Sequence, residues 1–359
     1  MAIYVAYLIL AGIQLPLFYR KDELGTRQLR RKAYLAACCA ELIILAGLRG
    51  YTVGADTEAY LQSIDYYSKK PLLVLVENKF SSPFHYELGY LVLTQLSAAL
   101  GLGRTGFLFL VACIIYIPVF RVIMKHSEMP YISILCYFAF GMFSYSLGIF
   151  RQMIAISILL CGWRYVVERH LVKYILVVAL AASFHTTALI ALALYFLYGI
   201  QWKRIIWFVP AIELCLLFFG RPIILVAMKL LPQYAGYLGS QYDLSGGSYK
   251  MLLLLNAVLI ACIIFRDKDS SRDDMVICAL ILAACVQAVG YSMALFGRMV
   301  PYFSTYILFA VPNVLKRIDK RFRPFLVVGA VAALFFLVFM EFNGNKYVTP
   351  YYTFFDQIQ

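Results

Sequence analysis

Long apolar runs broken by short polar stretches set the pattern of this chain. The runs lie near residues 2–19, 33–48, 86–101, 105–121, 131–147, 150–166, 172–198, 205–220, 251–265, 275–294, 299–315 and 324–340. Runs of about 17–25 residues with few charges read as transmembrane helices. The pattern therefore predicts an all-α, polytopic integral membrane protein. It has about 10–12 transmembrane segments in one integral domain over residues 1–359. The first run, Ala2–Phe18, is apolar from its start and is followed by Arg20. It lacks a basic leader and a small-residue cleavage site, so it reads as a retained helix. Two polar stretches exceed a turn in length, 49–85 and 221–250. Within the second, "RPIILVAMKLLP" reads as an interfacial helix and "GSQYDLSGGSYK" as a flexible loop.

Composition sharpens this picture. Of 359 residues, 63% are hydrophobic and 14% charged, more apolar surface than a soluble chain of this length can hide. The net charge of +13 does not point to nucleic acid, because the basic residues sit in loops between apolar runs. Arg20–Lys32 holds six Lys/Arg and Lys316–Arg323 five. Arg164, Arg169 and Lys173 cluster, as do Lys203 with Arg204, and Arg266 with Lys268 and Arg272. Short loops of this kind stay cytoplasmic, which turns 49–85, Tyr234–Tyr249 and the tail after Glu341 outward. The nine cysteines lie mostly in apolar runs without paired spacing, and read as packing residues.

The basic loops also constrain the run 171–199. Counting crossings between Gly50 and Lys173 leaves one too many or too few. Either the short segment Tyr86–Ala99 or the long run 171–199 must absorb the error. If Lys173 and Lys203 are both inside, the run is a shallow hairpin, with His185 at its tip. Irregular backbone at membrane depth is tolerated only where protein or a water-filled cavity covers it.

Polar residues inside apolar runs each need a reason, since an ionisable group at the bilayer centre costs about 2.5–3.5 kcal/mol on insertion scales. Five places stand out. "LRGYTVGADTEAY" carries Arg49, Asp56 and Tyr60, and "HYELGY" carries His85 and Glu87. "GIFRQMIAISI" carries Arg151 and Gln152, "ASFHTTAL" carries His185, and "LFGRMVPYF" carries Arg298 and Tyr302. Each alone has a bland explanation. Arginines snorkel from span ends. Asp56 has the look of an N-cap, and Glu87 suits a helix N-terminus. A histidine can serve as a hydrogen-bonded core residue. Together they are less bland. Three arginines near outward ends match the oxygens of an anion such as phosphate. One histidine and two carboxylates can move a proton. No His/Cys/Asp cluster with ligand spacing accompanies them, so neither a divalent ion nor another cofactor is called for.

In this order the motifs "RGYTVGADTEAY", "YELGY", "FRQMIAISI", "ASFHTTALIAL" and "GRMVPYF", ending in "TPYYTFF", resemble the EpsG/Wzy-type polysaccharide polymerase family. The resemblance spans nearly the whole chain. Lys69–Phe80 and 221–250 lie outside it and are left to substrate specificity. It implies a multi-pass protein of the bacterial inner membrane, similar to the GT-C class, with an active site facing the periplasm or cell exterior. It implies metal-independent glycosyl transfer between undecaprenyl-diphosphate-linked oligosaccharides as donor and acceptor. Membrane lipid, a chain-length regulator and a flippase are its implied partners. On this resemblance Arg49, Arg151 and Arg298 hold the diphosphate. His185, Asp56 or Glu87 takes the acceptor proton. Gln152 and Tyr302 position sugar or phosphate.

Two rivals share these residues. A transporter or flippase for lipid-linked sugar also needs cationic anchors, but favours internal repeats, and none is visible. An O-antigen ligase shares the leaving group but usually carries a larger late outer loop than 221–250.

Overall fold

The structure, a computed structural model, describes residues 1–21, 27–70, 74, 86–230, 239 and 249–357. It is built of helices, with a single short antiparallel hairpin, Tyr19–Lys21 against Arg27–Leu29, among the described residues. Four helices are long and apolar enough to cross a membrane: Gly103–His126, Trp202–Val226, Ser271–Ser292 and Arg323–Phe342. A fifth candidate is the bent pair Pro130–Ala139 and Met142–Gly148, which turns by 58°. Six further apolar helices have 10–17 residues, such as Leu88–Ala99 and Phe150–Gly162. The all-α, polytopic reading is therefore correct. The 10–12 apolar segments exist as helices, but many are too short to be full spans.

The chain groups into two compact units. One comprises residues 1–161, 176–189 and 318–359; the other comprises 162–175 and 190–317. In the first unit, Pro130–Ala139 is buried on nearly every side. A helix that is apolar all round belongs in an interior. Its partner starts after Gly141, whose φ of +73° is the left-handed turn that breaks the span. Phe138 and Phe143 then stack at 4.3 Å across the break, beneath Tyr4 and Phe342. Arg323–Phe342 turns Phe325, Val328 and Phe336 outward. An unpaired apolar face of this kind suits lipid contact.

In the second unit, Ser271–Ser292 is the buried centre, opened by the Ser270 side chain accepting from Asp273 N–H. The stretch "RPIILVAMKL" is not a separate interfacial helix. It continues the helix Val209–Leu230 through Pro222, an interruption that the flanking turns absorb. The loop beyond it, like His85 and most of 71–85, lies outside the described residues.

The stretch after Gly50 is also not a plain loop. It contains the helix Thr57–Tyr67, whose inner face buries Tyr60, Ser63 and Tyr67. Gly50 N–H donates to Tyr352 O, Gly54 N–H to Tyr347 O, and Phe354 N–H to Leu48 O. The C-terminal tail and the 48–54 stretch are therefore neighbours and lie on one side. Ser63 has no exposed surface and cannot report that side. Ala59, on the exposed face of the same helix, can. Ala59→Cys in intact cells is expected to react with an impermeant maleimide above the wild-type background. Reaction only after permeabilisation would reverse the topology.

Candidate active site

The run 171–199 is a hairpin. The helix Leu171–Ala182 stops at Ser183–His185, a 3-10 turn follows over Thr186–Ala191, and the helix Leu192–Ile200 leads away. A straight helix would separate Tyr174 from Tyr195 by about 30 Å. Instead their rings stack at 5.9 Å, and Tyr174 Oη donates to Ala191 O at 2.9 Å. The tip, residues 176–189, belongs to the first unit. It is pinned there through Gly89 N–H, which donates to Ser183 O at 2.7 Å. A Cβ on Gly89 would lie 2.7 Å from that same oxygen, so the "YELGY" motif needs its glycine for this approach.

Two residues before Gly89, Glu87 meets the tip. Its Oε1 accepts from Thr186 N–H at 3.0 Å and from the Thr186 hydroxyl at 3.1 Å. His185 Nδ1 lies 3.4 Å from the same oxygen, too poorly aligned to count as a hydrogen bond. Oε2 is ion-paired with Arg151 Nη1. Glu87 occupies the N-cap position of Leu88–Ala99, yet makes no capping bond. Its side chain serves the tertiary cluster instead of its own helix.

Arg151 is held in the plane of its guanidinium. The group sits 4.2 Å from the Tyr86 ring centroid and 5.7 Å from that of Tyr60. Its Nε faces Tyr60 Oη at 3.5 Å. Tyr60 in turn stacks on Phe150 at 4.7 Å. Side-chain exposures of 16% for Arg151, 15% for Glu87 and 24% for His185 leave each partly open. The cluster therefore combines a fixed cation, an ionised carboxylate and an imidazole within hydrogen-bonding reach. It can bind an anion and move a proton.

A family model described as the EpsG family matches residues 32–353. The chain belongs to the EpsG family. This is a Wzy-type polysaccharide polymerase family, so a polysaccharide polymerase-type role follows. No curated protein and no solved structure matches the chain. The EpsG-family match takes in the whole cluster, from Tyr60 and Glu87 to Arg151 and His185.

The other residues singled out from the sequence separate. Arg49 is 1% exposed, and its guanidinium donates to the carbonyls of Val53 at 3.3 Å, Leu147 at 3.1 Å and Ala46. It lies 5.0 Å from the Phe150 ring. As placed, Arg49 clamps backbone and offers no open face to a diphosphate. Gly54, at φ +111°, lets Leu147 O come close enough to share this clamp with Thr57. Asp56 is half-buried at the N-cap of Thr57–Tyr67 without a capping bond. Gln152 is buried beside Arg151, 5% exposed. Arg298 and Tyr302 belong to the second unit, with Tyr302 buried in Pro301–Ser304.

Against the expectation that the chain has no D-x-D pair, Asp267 and Asp269 form one within a turn, where Asp269 N–H donates to Asp267 Oδ1 at 3.1 Å. Among the described residues no three His, Cys, Asp or Glu side chains gather as a metal site requires. Sequence reading missed the work of Tyr86, Gly89 and Thr186. The signal was adjacency: each is within two residues of Glu87 or His185.

Proposed function

We propose that this protein joins undecaprenyl-diphosphate-linked oligosaccharide repeat units into a polysaccharide at the outward face of the bacterial inner membrane. The observation that carries this reading is the Arg151–Glu87–His185 cluster, assembled from three separate motifs of the EpsG-family match. Arg151 presents its fork to the donor diphosphate and offsets the charge that develops as it leaves. His185 accepts the proton of the acceptor hydroxyl. Glu87 lies between the two groups. Tyr86 and Tyr60 hold the Arg151 plane. Asp56 is left to contact sugar, and the reading does not depend on Arg49, Gln152, Arg298 or Tyr302.

The reaction needs no redox step. The acceptor oxygen attacks the anomeric carbon, and the anomeric C–O bond breaks towards the diphosphate. The test is the lipid-linked glycan profile of cells lacking the protein. Single repeat units without a ladder are expected, restored to a ladder by the wild-type chain. An unchanged ladder overturns the polymerase. Loss of outward-facing repeat units altogether would favour a flippase, and lipid-linked polymer that is not passed onward would favour a ligase.

A further inference from the structure

Glu87 already occupies the cation that the polymerase reading gives to substrate. A guanidinium offers two two-nitrogen edges to a phosphate. Glu87 Oε2 takes Nη1, which closes the end-on edge, and Tyr60 Oη faces Nε on the side-on edge. Neither edge is fully open.

On the other side of Glu87 the pairing is incomplete. His185 Nδ1 is buried and has no hydrogen-bond partner, though Glu87 Oε1 is only 3.4 Å away. An orphaned buried nitrogen is unfavourable and calls for an explanation. Thr186 supplies the pivot. Its N–H and hydroxyl both hold Oε1, so the carboxylate can turn without leaving the tip.

We propose that Glu87 is a displaceable counter-ion that couples donor binding to activation of His185. The idea rests on the polymerase reading. The incoming lipid diphosphate takes Arg151 and frees Oε2. The carboxylate then closes on His185 Nδ1–H, a shift of about 0.5 Å to ordinary hydrogen-bond distance. This fixes the tautomer with a lone pair on Nε2 and stabilises the imidazolium that follows. The acceptor O–H bond breaks, its proton goes to Nε2, and its oxygen bonds to the anomeric carbon. The anomeric C–O electron pair leaves with the diphosphate, held by Arg151. When the lipid diphosphate departs, the imidazolium gives its proton to water and Glu87 returns to Arg151. The base is thus competent only when a donor is in place. Glu87 is a positioning residue here, acting through His185 and Arg151.

The purified full-length chain in proteoliposomes tests this, with polyprenyl diphosphate as the binding probe and a polyprenyl-diphosphate oligosaccharide as substrate. Glu87→Gln removes the competing charge while keeping an acceptor for Thr186. It is expected to bind polyprenyl diphosphate at least threefold more tightly, while kcat falls about 10²-fold. Equal or weaker binding, or an unchanged kcat, overturns the exchange and leaves Glu87 as a static anchor. A measurement on the unaltered protein guards against misfolding of the variant. The chain has four histidines, so ¹⁵N-histidine spectra can follow His185. Polyprenyl diphosphate is expected to move the His185 Nδ1 resonance to that of a carboxylate-bonded N–H, and no movement overturns the exchange. If the wild-type chain neither binds polyprenyl diphosphate nor extends the oligosaccharide, the polymerase reading itself fails.

Discussion

Arg151→Lys is expected to lower chain growth about 10²-fold or more at normal protein levels. The charge survives in lysine, so a purely electrostatic anchor would survive with it. The planar fork does not. Arg151 lies against Tyr86 at 4.2 Å and reaches Glu87 through one nitrogen while facing Tyr60 through another. An ammonium can replace one of these contacts at a time and cannot present paired donors to a diphosphate. Glycan ladders from cells carrying the variant, normalised to membrane-inserted protein, measure the effect. Near-normal ladders would reduce Arg151 to a packing or snorkelling residue. Arg49 makes a useful contrast. Its nitrogens serve backbone carbonyls, so Arg49→Lys should lower the amount of inserted protein more than the activity per molecule.

The comparison of these two arginines shows where sequence reading stops. Arg49 ends one apolar run and Arg151 opens another, and both are candidates for the diphosphate. What separates them is Leu147 O, which lies 98 positions from Arg49 and meets it only after folding. No local pattern carries that information. The hairpin was more legible. Its polar break at Ser183–Thr187 and the basic residues on both flanks made it one of two segments able to absorb the odd crossing, and the chain does return on itself there. Helix breaks without such charges were not legible. The run 131–147 reads as one span, yet a left-handed Gly141 bends it. Capping arguments misled in a different way. Asp56 and Glu87 do occupy N-cap positions, as the dipole and capping rules anticipate. Neither caps with its side chain. A carboxylate at a helix start is free for tertiary work when its neighbours bring better donors, and at Glu87 these are Arg151 and Thr186.

His185→Ala should cut turnover by about 10²–10⁴-fold, the usual contribution of a positioned general base. The variant should still insert, because the tip is pinned by Gly89 N–H to Ser183 O and by Thr186 to Glu87, and neither bond uses the imidazole. It should also still bind lipid diphosphate, since Arg151 is untouched. Alanine alone does not separate base from scaffold, because it also leaves a gap beside Glu87. His185→Gln makes the separation. Glutamine can fill the space and hydrogen-bond as a neutral imidazole does, but takes no proton near pH 7. Single-turnover transfer from a polyprenyl-diphosphate oligosaccharide, with donor binding measured in parallel, is the assay. If glutamine is as slow as alanine while both bind donor normally, His185 is the base. If glutamine restores turnover, the imidazole only positions its neighbours. Asp56 and Glu87 would then be the remaining candidates for the base, and Asp56→Asn and Glu87→Gln in the same assay decide between them.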